Sequence, residues 1–211
     1  RGGFIGKVAD DQLGKIFQHD VRSLGLTYDT QPLAVGEPTG RCLILVTPDG
    51  QRTMNTFLGA SIEIKEDDVD PELITNAFIT YLEGYLFDRD QAKKAFIRAA
   101  ELAHQAGHRV ALTLSDPFCV DRHRSDFLKL VEKHVDILFA NEEEIKSLFM
   151  QDDIEDAISA ISTHVEVAAI TRSEKGAVVL SRGQRHDIPA EPVSKVVDTT
   201  GAGDQFAAGF L

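Results

Sequence analysis

Short apolar runs recur along this chain, separated by capped, amphipathic stretches, and that alternation constrains the fold more than any other feature. Phe78 to Glu83, Arg109 to Leu114, Asp136 to Ala140 and Val165 to Thr171 have the length and side chains of strands. Between them lie helical patterns at Gln91 to Gln105, closed by Gly107, and at about Asp126 to His134. Others follow at Glu142 to Met150, with Asn141 as N-cap, and at Ile154 to Thr163. Strands that read as nearly continuous apolar runs are buried on both faces. The alternation therefore predicts a three-layer α/β/α fold around a mostly parallel sheet. Further strands are expected at Ala177 to Leu180 and running into Val196-Val197. Phe4 to Ala9 suits a short strand, and Leu13, Ile16, Phe17, Val21 and Leu24 predict a helix from about Asp11, stopped by Gly25.

Residues 27–59 break this rhythm. Arg41 to Thr47 is β-rich, Pro48-Asp49-Gly50 is a turn signal and Arg52 to Phe57 returns, the pattern of a hairpin. We expect a core formed by 1–26 and 60–211 with a β lid at 27–59. The chain opens at Arg1 and stops at Leu211 inside an expected helix, so a core truncated at both ends is expected too.

Composition removes several classes of function. Lys and Arg total 22 against 34 Asp and Glu, a net charge of −12 that disfavours nucleic acid and anionic membrane as partners. No apolar run approaches the roughly 20 residues that span a bilayer. Cys42 and Cys119 form no framework and read as reduced thiols, which points to the cytoplasm. The histidines read as surface or helix-end residues rather than zinc ligands.

In open parallel sheets, ligands bind beyond the carboxyl ends of the strands, where loops and helix N-termini meet. Glu83, Ser115-Asp116, Asn141 to Glu144, Thr171-Arg172-Ser173 and Asp198 to Asp204 fall there. The last of these, Asp198-Thr199-Thr200-Gly201-Ala202-Gly203-Asp204, reads as a strand end, a Gly-rich turn and a helix start, the geometry of an anion cradle. Phe206 at the third glycine position excludes the dinucleotide fingerprint, and with it discounts a nicotinamide oxidoreductase. No Walker loop is present. The spacing alone leaves two readings of Asp204 open: a cap on the following helix, or a catalytic carboxylate.

The string from Asp198 to Asp204, followed by Gln-Phe-Ala-Ala-Gly-Phe-Leu, resembles the C-terminal signature of the PfkB-type, ribokinase-like carbohydrate and nucleoside kinases, nearest to the adenosine kinase-like members. The resemblance implies an ATP-dependent phosphotransferase acting on an alcohol group of a sugar or nucleoside. Asp204 would be the general base, with Gly201, Ala202 and Gly203 as an anion hole. Asn141 and Glu144 match the family's N-x-x-E element and imply Mg²⁺ organised largely through water; Glu142 and Glu143 then remain solvated charges. Thr171, Ser173 and Gly176 match a T-x-G-x-x-G nucleotide loop, with Ser173 departing from the glycine. Arg52, on the returning arm of the hairpin, implies a phosphate clamp on lid closure. Asp198 and Thr200 imply a K⁺ site. Small-molecule substrates are the expected partners, with a homodimer through the lid. The alternatives are a ribose, fructose or 2-keto-3-deoxygluconate kinase, or a catalytically silent binding protein of the same fold.

Overall fold

A computed structural model describes residues 2–211. Helix α1 (Gln12–Ser23) starts at an Asp11 cap, whose side chain accepts from the Gly14 N–H and also bonds Thr39. The hairpin follows as β1 (Arg41–Val46) paired antiparallel with β2 (Arg52–Phe57). After α2 (Pro71–Thr75) the main sheet begins with β3 (Ile79–Glu83), α3 (Asp90–Gln105), β4 (Arg109–Thr113), α4 (Pro117–His134) and β5 (Ile137–Asn141). It continues with α5 (Glu142–Phe149), α6 (Ile154–Ile161), β6 (Val167–Thr171), β7 (Ala177–Ser181) and β8 (Gln184–Ile188), and α7 (Ala202–Phe210) ends the chain.

The six strands lie in chain order. Pairings from β3 to β6 are parallel, and those of β6 with β7 and β7 with β8 are antiparallel. Successive side chains point to opposite faces. Val110, Leu112, Leu138 and Ile170 enter the larger core beneath α3 to α6, where Phe127 stacks on Phe87 at 4.3 Å. Ala111, Ile137, Phe139 and Ala169 face the other way, against Phe206 and Ala207 of α7. Helices thus cover both faces, unequally.

Several sequence expectations fail for identifiable reasons. Phe4 to Ala9 is extended but joins no named strand, making only isolated bridges at Gly3 and Ala9. Helix α4 begins at Pro117 rather than near Asp126: Asp116 caps it and proline occupies its first turn, a helix-start pair that also reads as a turn. Its middle is obscured by a break at His123. No strand runs into Val196-Val197; residues 189–199 are exposed and irregular, so the glycine turn follows a coil. Strand β8 went unforeseen because all five of its residues are exposed and carry no apolar pattern. It is reached from β7 through Arg182 and Gly183, both at positive φ, as a tight hairpin turn requires.

Candidate functional site

The carboxyl ends of β3, β4 and β5 bring together Glu83, Ser115, Asp116, Asn141 and Glu144. Ser115, held at φ +66, donates its hydroxyl to Glu83 at 2.9 Å. Burial pushes the Glu83 carboxyl above its ordinary value; the Ser115 bond pulls it back and nearby Asp204 raises it again. Burial likewise lifts the Tyr81 phenol, with Glu83 and Asp204 adding to the rise. Tyr81 and Glu83 stand two residues apart and so share a sheet face. It is the face α7 covers, which is how the start of that helix reaches them.

Asp204 lies in the first turn of α7, exposed to solvent. Gly201, at the N-cap position, has no side chain with which to cap this helix start. Gly201 takes φ +72 to turn the chain into the helix. The Ala202 N–H reaches the Thr199 carbonyl at 3.2 Å, whereas helix geometry leaves the first-turn amides of Gly203 and Asp204 without intrahelical partners. Thr200 donates both its N–H and its hydroxyl to Asp198 Oδ1, at 2.8 and 2.7 Å, closing the turn on itself. Those bonds, with a smaller contribution from Arg52, hold the Asp198 carboxyl below its usual range.

Asn141 and Glu144 form a reciprocal capping box. Asn141 Oδ1 accepts the Glu144 N–H at 2.9 Å, and Glu144 accepts from the Asn141 N–H at 2.9 Å and from its Nδ2 at 2.8 Å. Glu144 is only 5% exposed. Burial pushes its carboxyl up to about 7 against the pull of the Asn141 backbone bond, and Asp116 and Glu83 raise it further. A hard divalent cation suits this donor set. Each Glu144 oxygen keeps a lone pair free, and the crowding of acids is the strain a cation would relieve. Among the described residues no three acidic, histidine or cysteine side chains converge as a ready-made cage, so most ligands to such an ion would be water and phosphate.

The Thr171 to Gly176 loop lies beside this box, since Asn141 pairs with Thr171 in the sheet. Ser173 adopts φ +51 despite its Cβ, and Gly176 takes φ +90. Glu142 is not a solvated charge: its carboxylate receives the Arg172 Nε at 3.1 Å, with both side chains largely buried. Arg52 extends from β2 and donates to the Thr199 carbonyl, and the hairpin turn packs Gly50 against Val196 and Val197. Glu83, Tyr81 and Tyr85 belong to the same neighbourhood. The sequence marked Glu83 by its place at a strand end, whereas neither tyrosine was singled out. Burial raises the Tyr85 phenol; Asp116, Glu144 and Glu83 raise it further and Arg52 opposes them.

Residues 1–211 match the family model described as pfkB family carbohydrate kinase. Among solved structures, an adenosine kinase from Sinorhizobium meliloti is 47% identical with a TM-score of 0.95, over 100% of this chain and 64% of that one. A probable sugar kinase from Rhizobium etli is 48% identical with a TM-score of 0.94, over 99% of this chain and 63% of that one. Among curated proteins, an uncharacterized sugar kinase of Archaeoglobus fulgidus is 29% identical over 213 residues, 99% of this chain and 80% of the relative. The chain thus spans under two thirds of the length of these two solved structures.

Proposed function

The chain belongs to the pfkB family of carbohydrate kinases, and from that membership we propose that it transfers the terminal phosphoryl group of ATP to an alcohol of a nucleoside or sugar. The observation that carries this reading is Asp204. It is a carboxylate in the first turn of a helix whose N-terminal amides are free, open to solvent and not spent on capping. Asp204 accepts the proton of the acceptor hydroxyl as the oxygen attacks the γ-phosphorus. The Gly203 and Asp204 amides, with the helix dipole behind them, offset charge on the transferring group. Glu83, held by Ser115, accepts a hydrogen bond from a neighbouring substrate hydroxyl and so orients the acceptor. Glu144 and Asn141 would hold Mg²⁺, largely through water, and the ion would there supply charge neutralisation for the nucleotide phosphates. Thr171, Ser173 and Gly176 supply backbone groups to the nucleotide phosphates. Arg52 swings from the Thr199 carbonyl to phosphate as the lid closes. The mutual bonding of Asp198 and Thr200 supports a turn-forming role for that pair and adds nothing towards K⁺.

Among acceptors we favour a purine nucleoside, adenosine foremost, because the matched adenosine kinase shares the whole length of this chain. The equally similar probable sugar kinase makes sugars the rival class. ADP release measured with adenosine, ribose, fructose and 2-keto-3-deoxygluconate separates them, and turnover on a sugar alone would reject the nucleoside. Asp204→Asn should lower kcat by at least about 10²-fold while leaving the acceptor's affinity within a few-fold. A variant with near-normal turnover would remove the base. Nucleoside binding without ADP formation by the unmutated protein would instead support a silent binding protein.

A further inference from the structure

Helix α5 and the loop after β6 are tied together by one ion pair that none of the roles above uses. Arg172 Nε donates to Glu142 Oε2 at 3.1 Å, and the two side chains are only 19% and 23% exposed. The loop it anchors is tightly wound. Arg172 N–H donates to the Gly176 carbonyl at 2.8 Å, Lys175 N–H to the Arg172 carbonyl at 3.0 Å and Gly176 N–H to the Ser173 carbonyl at 3.0 Å. Inside that ring Ser173 sits at φ +51, a region that disfavours a residue with a Cβ and persists only where its surroundings impose it. The ring's own bonds link residues of one loop, and the ladder pairing Thr171 with Ala177 holds its two ends in the sheet, but neither set of bonds ties the loop to helix α5. The Arg172–Glu142 pair is the side-chain link from the loop to a regular element, the first turn of the helix that presents Asn141 and Glu144. Arg172 also lies within electrostatic reach of Glu155 in α6 and Asp187 in β8, both of which are paired with Arg185. Carboxylates from three elements thus act on its charge, with Glu142 alone in direct contact.

We propose that Arg172 is a positioning residue for the nucleotide: bonded to Glu142, it holds the Ser173 turn in its left-handed conformation and sets the phosphate loop against the Asn141–Glu144 box. This rests on the ATP reading given above. The pair acts through loop geometry rather than by touching phosphate, so both partners should matter equally. Arg172→Gln and Glu142→Gln should each raise the KM for ATP by roughly three- to tenfold, and the double variant should exceed neither, as expected for one shared interaction. kcat at saturating ATP and the KM for the acceptor should stay within about twofold, a split that general destabilisation does not produce. Introducing Ser173→Gly into Arg172→Gln should recover most of the ATP affinity, because glycine adopts positive φ without the anchor.

Steady-state kinetics and ADP binding by calorimetry on the purified protein and these variants form the test. An unchanged ATP KM in Arg172→Gln overturns the proposal. So does a loss confined to Arg172→Gln with Glu142→Gln unaffected, which would make the guanidinium a phosphate ligand, and so does a Ser173→Gly double variant that recovers nothing. Failure of the unmutated protein to bind ADP or turn over ATP overturns the parent reading instead, and is told apart because it precedes any substitution.

Discussion

Ser173 and Gly176 show how much a single φ angle weighs in this site. A Cβ at Gly176 would stand 2.0 Å from the Ile188 carbonyl oxygen, at a φ of +90 that L-residues avoid. Gly176→Ala should therefore cost about 1–3 kcal/mol by urea unfolding, and a variant as stable as the parent would contradict the crowding. Glu144 carries a pH signature. Its folded value of about 7 lies above the ordinary 4.5, so the folded state holds the proton more tightly than the unfolded chain does. Its contribution to stability is then greatest below pH 4.5 and declines as pH rises to 7. Glu144→Gln keeps an acceptor for the Asn141 amide and should gain melting temperature over the parent at pH 8 relative to pH 4, in chelated buffer. A pH-independent difference would show the burial to be inconsequential. The departure at Ser173 was legible in the sequence as a missing glycine, but its retention of positive φ was not. The loop's own bonds around Ser173 form only in the folded turn, and Arg172 finds its anchor at Glu142, 30 residues earlier in the chain.

The exposed hairpin was legible from its turn chemistry, whereas the elements of the main sheet and its helices were legible where they bury an apolar pattern. Strands β3 to β6 and helices α3, α5 and α6 stand close to where periodicity puts them, since each contributes side chains to the larger core. Strand β8 buries nothing, and the first half of α4 buries only Cys119 and Val120 before the charged stretch Asp121 to Arg124 and the break at His123, so hydrophobic pattern marks neither. The second half of α4 is held by Phe127, fully buried and stacked on Phe87. Phe127→Ala should cost about 3–5 kcal/mol in denaturant titration, and a loss under 1 kcal/mol would mean the core collapses around the gap. The strand expected at Val196-Val197 failed for the converse reason. Paired valines suit a strand, yet here they are exposed and meet the hairpin turn at Gly50 instead of a neighbouring ladder.

On the scale of the molecule, the hairpin and the glycine turn are joined across 147 residues by Arg52 and the Thr199 carbonyl. Arg52→Ala should leave the main sheet intact while speeding hydrogen exchange at the β1 and β2 amides and in residues 196–200. Unchanged exchange there would show that packing alone docks the hairpin. The hairpin leaves Leu43 and Leu45 at 70% and 64% exposure. If two copies pair through it, light scattering should report twice the monomer mass and Leu43→Asp should halve it; a monomeric parent protein rejects the pairing. No helix among the described residues is long and apolar enough to cross a membrane.

The sequence by itself determined the mostly parallel sheet, the hairpin and the identity of the Asp198 to Asp204 turn, because apolar periodicity, turn chemistry and a glycine string are written in neighbouring residues. The sequence also placed Glu83, Asp116, Glu144 and Asp204 along one sheet edge, but their burial and mutual electrostatics, the pairing of Arg172 with Glu142 and the docking of Arg52 were decided only by the tertiary structure. Each joins groups far apart in the chain. Their energies depend on burial and separation in space, which exist only once the sheet has brought its carboxyl edge together.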